Sequence, residues 1–215
     1  MKPTVTVVDY GVGNLFSVTR ALDHCGARVT LSEDSRRIEA ADLLLLPGVG
    51  SFANGMSELA RRGLVDALRR HAHSGRPFLG ICLGLQLMFD ASEEFGEHAG
   101  LGLIPGKVRA VPPRGSDGRP HKIPHIGWNA LRLVANGTPW SDSLLRGIPL
   151  GSSVYFVHSF TAFPEHEAHR VADCDYDGCR ISAVVKRDNL SGCQFHPEKS
   201  GETGLRVLRN FLALG

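Results

Sequence analysis

Three short stretches of the chain carry residue types whose order could support acyl transfer through a covalent intermediate. The first is Gly80-Ile81-Cys82-Leu83-Gly84. An apolar run ends in a G-x-C-x-G turn and a helical pattern begins at once, the arrangement of a nucleophile elbow with sulfur in place of a serine oxygen. Such a turn forces its central residue into a strained backbone, so the neighbours must be small. It also sets Cys82 at a helix N-terminus, where the dipole and free amides favour a thiolate. The Leu83 amide is then aimed at an oxyanion formed on the attacked carbonyl. Alone, the motif reads equally as a buried cysteine at a tight turn. The second stretch, Gln194-Phe195-His196-Pro197-Glu198, supplies a base after another apolar run. His196 at a strand end can reach across the carboxyl edge of a sheet toward Cys82. Pro197 stiffens the backbone, and Glu198 can accept from the imidazole N–H that faces away from sulfur. The third is Pro47-Gly48-Val49-Gly50-Ser51. Two glycines around one peptide allow it to turn and present an N–H to a developing negative charge; by itself it is an ordinary strand-to-helix turn.

These stretches need elements to hold them. Thr4 to Val8 is a continuous apolar, β-branched run, as expected of a strand buried on both faces. Asn14 sits where a helix cap belongs, ahead of Leu15, Val18, Leu22 and Cys25 at helical spacing, and Gly26 ends that helix. Ala27 to Leu31, Asp42 to Leu46 and Pro77 to Ile81 predict further strands. Helices are expected over Phe52 to His71, broken near Gly63, and over Leu83 to Phe89. Strands separated by helices imply a parallel sheet with right-handed crossovers. The pattern then changes. Lys107 to Val111, Ile126 to Val134, Ser153 to Val157, Arg170 to Asp175, Ile181 to Val185 and Ser191 to Phe195 predict strands joined by turns, with a hairpin signal at Asp177-Gly178. Residues 112–120 read as a loop and Gly204 to Leu214 as a closing amphipathic helix. The expected fold class is α/β: a single domain over residues 1–215, an open, mostly parallel sheet flanked by helices, with an antiparallel extension in the second half.

Composition excludes several other classes. Hydrophobic residues make up 42% and charged residues 21% of the 215, with a formal net charge of +2, so nothing points to nucleic acid or an anionic membrane. No run reaches the ~18 apolar residues of a spanning helix. Five cysteines, an odd number without a secretory signal, argue against a disulfide framework and for a reducing cytoplasm. Cys174 and Cys179 are not spaced as a zinc knuckle, so no metal site and no cofactor is expected. Apart from Cys82, the cysteines read as small buried hydrophobes. His71, His73, His98, His121, His166 and His169 read as ordinary structural or surface histidines.

Taken together, G-I-C-L-G, Q-F-H-P-E and P-G-V-G resemble the class I (triad) glutamine amidotransferase family over nearly the whole chain. Four further stretches resemble one branch of it, the glutaminase subunits of imidazole glycerol phosphate synthases. They are Asp9 to Leu15 (DYGVGNL), Pro124 to Asn129 (PHIGWN), Tyr155 to Ser159 (YFVHS) and His196 to Ser200 (HPEKS). The resemblance implies Cys82 as nucleophile, His196 as base and acid, and Glu198 as orienter. It implies an oxyanion hole from the Val49 and Leu83 peptides, and a glutamine site at Gln86, Gly50, Ser159 and Phe160, the last departing from the tyrosine common there. Asn14, Tyr155, His158 and Lys199 fall at positions tied in the family to a subunit interface and its coupling to the active site. The implied substrate is L-glutamine, and the implied partner a cyclase subunit with a (β/α)8 barrel. Rival readings are a free-standing γ-glutamyl hydrolase, the glutaminase of another synthase such as that of pyridoxal phosphate, and a catalytically silent scaffold.

Overall fold

The computed structural model describes residues 2–215. In the first half, strands β1 (Thr4–Val8), β2 (Arg28–Ser32), β3 (Leu43–Leu46) and β4 (Phe78–Ile81) alternate with helices α1 (Leu15–His24), α2 (Ser35–Glu39), α3 (Phe52–Arg61), α4 (Val65–His73) and α5 (Leu83–Leu87). β1 and β3 are rich in Val and Leu because both their faces are covered. Asn14 caps α1 by accepting from the Ser17 amide. The predicted break falls between α3 and α4, where Gly63 adopts φ +66.

The second half supplies β5 (Phe89–Ser92), β6 (His98–Ala99), β7 (Ile104–Ala110), β8 (His125–Ala130), β9 (Arg132–Leu133), β10 (Ser153–His158), β11 (Phe160–Pro164), β12 (Arg170–Tyr176), β13 (Cys179–Arg187) and β14 (Leu190–Cys193), then α6 (Gly201–Leu212). The main sheet runs β2-β1-β3-β4-β14-β13-β12-β9. It is parallel from β2 through β14 and antiparallel beyond. Asp177 and Gly178, with φ of 50° and 78°, form the turn between β12 and β13 that the sequence signals. Two apolar clusters cover the sheet's faces, one containing α1 and α6 residues, the other α3, α4 and α5 residues.

The expected elements differ from the observed ones in four places. The run Ile126 to Val134 is two strands in different sheets. β8 pairs with β10 in a two-stranded sheet and β9 with β12 at the main sheet's edge. Between them the Asn129 side chain bonds the Ala130 amide and the Asp175 carbonyl, and Leu131 turns into the core. Helix α5 ends at Leu87 because the Met88 carbonyl is taken by the Leu103 and Ile104 amides, and Phe89 continues as strand. Strands β5, β6 and β11, joined through β7 into a four-stranded sheet, were not expected. Neither was α2, although Asp34 caps it and Ile38 anchors it.

Candidate active site

Strands β4 and β14 lie side by side and parallel, with Ile81 opposite Cys193. Both chains therefore leave the sheet at one edge, Cys82 directly from β4 and His196 three residues after Cys193. The Cys82 amide donates to the Cys193 carbonyl at 2.8 Å, stitching the two exits together. Cys82 adopts φ 54°, ψ −111° at the start of α5, a conformation disfavoured for an L-residue and held by its surroundings. Gly84 lets the turn pass β3, since a Cβ there would stand 1.9 Å from the Leu46 carbonyl oxygen.

The Glu198 carboxylate accepts from His196 Nδ1–H at 2.8 Å, with both side chains almost fully buried. That leaves Nε2 for the sulfur. Nε2 closes no well-aligned hydrogen bond, yet it lies close enough to couple strongly to Cys82. Burial alone would push this imidazole down. The Cys82 sulfur and the Glu198 carboxylate override burial and hold its pKa up at about 10. Loose contacts of this kind commonly tighten when substrate enters.

A cavity of about 310 Å3 opens over the pair, lined by Val49, Gly50, Cys82, Leu83, Gln86, Glu94, Pro124, Val157, His158, Ser159, Phe160 and His196. Its size is at the small end of ligand sites, about 300–1,000 Å3. Most residues singled out from sequence thus meet at one place. Glu198 stands behind His196. Asn14 is engaged in its helix cap, Tyr155 is half-buried and Lys199 is exposed. His158 is only 6% exposed, so it can meet a partner only through neighbours. Its Nδ1–H donates to the Phe160 carbonyl at 2.9 Å, and its Nε2 accepts from His125 Nδ1–H at 3.0 Å. Burial pushes His125 down to about 4 and His158 to about 3, so both rings are neutral at pH 7.

Four contributors were missed in the sequence. Glu94 lines the cavity while its carboxylate accepts from the Phe52 amide at the start of α3. His125 backs His158. Ser200 ties β10 to the histidine turn, accepting from the Tyr155 amide and donating to the His196 carbonyl. Gln194 reaches the Cys82 sulfur. Gln194 and Ser200 lie within the singled-out motifs, but nothing in their spacing signals a partner; Glu94 lies in none. Among the described residues, no group of His, Cys, Asp and Glu could hold a metal ion, and no helix is long and apolar enough to cross a membrane.

An elbow cysteine and a histidine–carboxylate pair at one edge of a parallel sheet agree with the family the chain matches. It belongs to the class-I glutamine amidotransferase family, whose model matches residues 6–214. Within that family it is 53% identical to an imidazole glycerol phosphate synthase subunit HisH of Legionella pneumophila, over 98% of this chain and 99% of that protein. It is 46% identical to the subunit HisH of Moorella thermoacetica, over 98% of this chain and 94% of that one. Among solved structures, PurLQS of Thermotoga maritima superposes with a TM-score of 0.71 at 23% identity, with 99% of each chain covered. A glutamine amidotransferase matches with a TM-score of 0.68 at 17% identity over 97% of each chain. These structural likenesses speak for the fold.

Proposed function

We propose that the chain is the glutaminase subunit of an imidazole glycerol phosphate synthase, releasing ammonia from L-glutamine for a cyclase partner in histidine biosynthesis. The observation that carries this reading is the shared exit of β4 and β14, which sets Cys82 beside His196 and Glu198 under one small cavity. Two near-full-length HisH relatives point to the particular synthase.

In this reading the proton rests on His196 and the Cys82 sulfur attacks the side-chain carboxamide of glutamine. The tetrahedral oxyanion is met by the Leu83 and Val49 peptides, and Gly50 lets the latter turn. Collapse expels ammonia as His196 returns its proton. Water, deprotonated by His196, then hydrolyses the γ-glutamyl thioester to glutamate. Gln86 contacts the glutamine side chain, and Gly50, Ser159 and Phe160 hold the amino-acid end of the substrate. Ammonia would be protonated in open water and lose its nucleophilicity, so an enclosed route into the partner is required. The partner is expected to be a (β/α)8 barrel that makes imidazole glycerol phosphate and an aminoimidazole carboxamide ribonucleotide. A docking surface suits it. Ile126 and Trp128, on one face of β8, are 56% and 58% exposed, and Val157, opposite Ile126, also lines the cavity. Tyr155, opposite Trp128, extends that strip, and Asn14 and Lys199 are the other candidate contacts.

The test is glutamate formation by the full chain with and without a cyclase subunit. Turnover is expected to be nearly idle alone and strong with the partner. Cys82→Ala is expected to abolish it, by at least about 10⁴-fold, while synthesis from added ammonium salts survives. Loss of both activities, or fast turnover without a partner, counts against the assignment.

A further inference from the structure

One wall of the cavity contains hydrogen bonds whose direction is forced. The Phe160 carbonyl can only accept, so the atoms that reach it at 2.9 Å, from His158 and from Gln86, are N–H groups. The same Gln86 nitrogen lies 3.0 Å from the side-chain amide of Gln194, which must therefore offer its oxygen. The other end of that amide, the NH2, is thereby turned to the Cys82 sulfur at 3.7 Å. Gln194 is fully buried. Reversing it would set NH2 against NH2 at Gln86 and leave a buried carbonyl facing sulfur, a loss of two hydrogen bonds without water to replace them.

We propose that Gln194 is a positioning residue for the nucleophile, its N–H holding the Cys82 sulfur in line for attack, with the direction of that bond set by Gln86 and the Phe160 carbonyl. The proposal rests on the glutaminase reading above. An N–H donor favours the thiolate over the thioester, because an acylated sulfur is the poorer acceptor. It therefore keeps the sulfur ionised and oriented before attack on the carboxamide, and eases its departure when water cleaves the thioester; in both steps His196 carries the proton.

The ionisable groups around the sulfur are His196 and Glu198 after β14, Cys193 at its end, Tyr10 after β1, and Glu94 and His158 across the cavity. Burial raises Tyr10 and Cys193, so both stay neutral through the working range, and His158 is neutral as well. His196 supplies the neighbouring positive charge, and Gln194 an uncharged donor whose effect does not titrate.

The test compares Gln194→Met and Gln194→Glu with the wild-type full chain. Neither replacement offers the amide donor. The rate of Cys82 alkylation by iodoacetamide is followed against pH. Its midpoint is expected to rise by about one pH unit in Gln194→Met and further in Gln194→Glu, where a carboxylate faces sulfur. With the cyclase bound, kcat is expected to fall about tenfold in Gln194→Met, with KM within about twofold. An unmoved midpoint in both folded variants overturns the proposal. Should neither fold, the side-chain amide nitrogen of Gln194 in the wild-type chain is followed by NMR. It is expected to shift with the same midpoint as Cys82 alkylation, and an amide blind to that titration overturns the proposal. A Cys82→Ala chain that still hydrolyses glutamine would defeat the glutaminase reading itself. An inactive Cys82→Ala with unshifted Gln194 variants defeats only this inference.

Discussion

Two glycine-rich strand-to-helix turns, after the neighbouring strands β3 and β4, pack side by side at the cavity, and Gly84 of one and Gly50 of the other serve opposite ends. In the elbow after β4, glycine makes room. A Cβ on Gly84 would stand 1.9 Å from the Leu46 carbonyl oxygen, and Leu83 beside it is 1% exposed. In the turn after β3, Gly50 makes a conformation possible. It adopts φ +90°, a Cβ there would meet nothing within 4 Å, and Val49 next to it is 41% exposed. This second turn is fastened at its two ends, where Tyr10 Oη donates to the Pro47 carbonyl at 2.9 Å and the Phe52 amide donates to Glu94. Cys82, the proposed nucleophile, is thus clamped by packing, while the Val49–Gly50 peptide has open space beside it. A switch set by a partner can act on the second turn without disturbing the first.

That contrast is open to attack. Gly84→Ala is expected to have the largest effect, because backbone stands where the methyl would go. Overpacking costs about 1–3 kcal/mol or more, about 2–4 °C of Tm per kcal/mol for a chain of this size. Turnover should be lost with the elbow geometry, and a normal melt with normal turnover would show that the elbow is not clamped. Gly50→Ala should separate stability from activity. The fold has space for the methyl, but φ +90° strains an alanine by about 1–2 kcal/mol, so Tm is expected to fall by only a few degrees, whereas partner-stimulated turnover should fall about 10²–10³-fold if the peptide must supply an oxyanion donor. Equal losses in both measurements would mean the turn is structural.

On the clamped side, Glu198→Gln should cost about tenfold, less than His196→Ala, because the variant keeps an acceptor for the imidazole while His196→Ala removes the proton carrier. Steady-state kinetics of the two variants in the complex decide this, and equal losses would give Glu198 a more direct part. The smallest effects are in pH. His196 is raised from 6.5 to about 10 in the fold, so its pairing stabilises fully below pH 6.5 and is lost as pH rises through about 10. The Tm gap between wild type and His196→Gln should therefore close over that window. His125 and His158, lowered to about 4 and about 3, act in the opposite direction. Their contribution is complete above pH 6.5 and declines as pH falls toward 4 and below. His125→Phe should flatten the acid side of the stability profile, and an unchanged profile would contradict the buried neutral pair.

Much of the first half was legible because its signals are local. A run such as Leu43–Leu46, four residues stopped by Pro47-Gly48, reads as a strand covered on both sides, and Asn14 ahead of an amphipathic pattern reads as its cap. The second half was read less well. Ile126 to Val134 shows one alternating pattern, yet a single inward residue, Leu131, sends the chain from one sheet to another. β11 is a short run of mixed size that becomes a strand only because β7 pairs with it. In the site, the residues standing in recognisable turns were found. Glu94, His125, Ser200 and Gln194 were not, since at least one partner of each lies far away in the chain, as Gln86 lies 108 residues from Gln194.

The sequence by itself determined the local geometry: where strands stop, which turns need glycine, and which sulfur sits at a helix start. Periodicity and turn chemistry depend on neighbours a few residues apart, so they survive reading in one dimension. Tertiary structure decided that the β13–β14 hairpin returns its last strand parallel to β4, and with that, that His196 emerges beside Cys82. It also decided which buried polar groups face each other, because an unpaired donor or acceptor is costly only once distant segments have closed over it and excluded water.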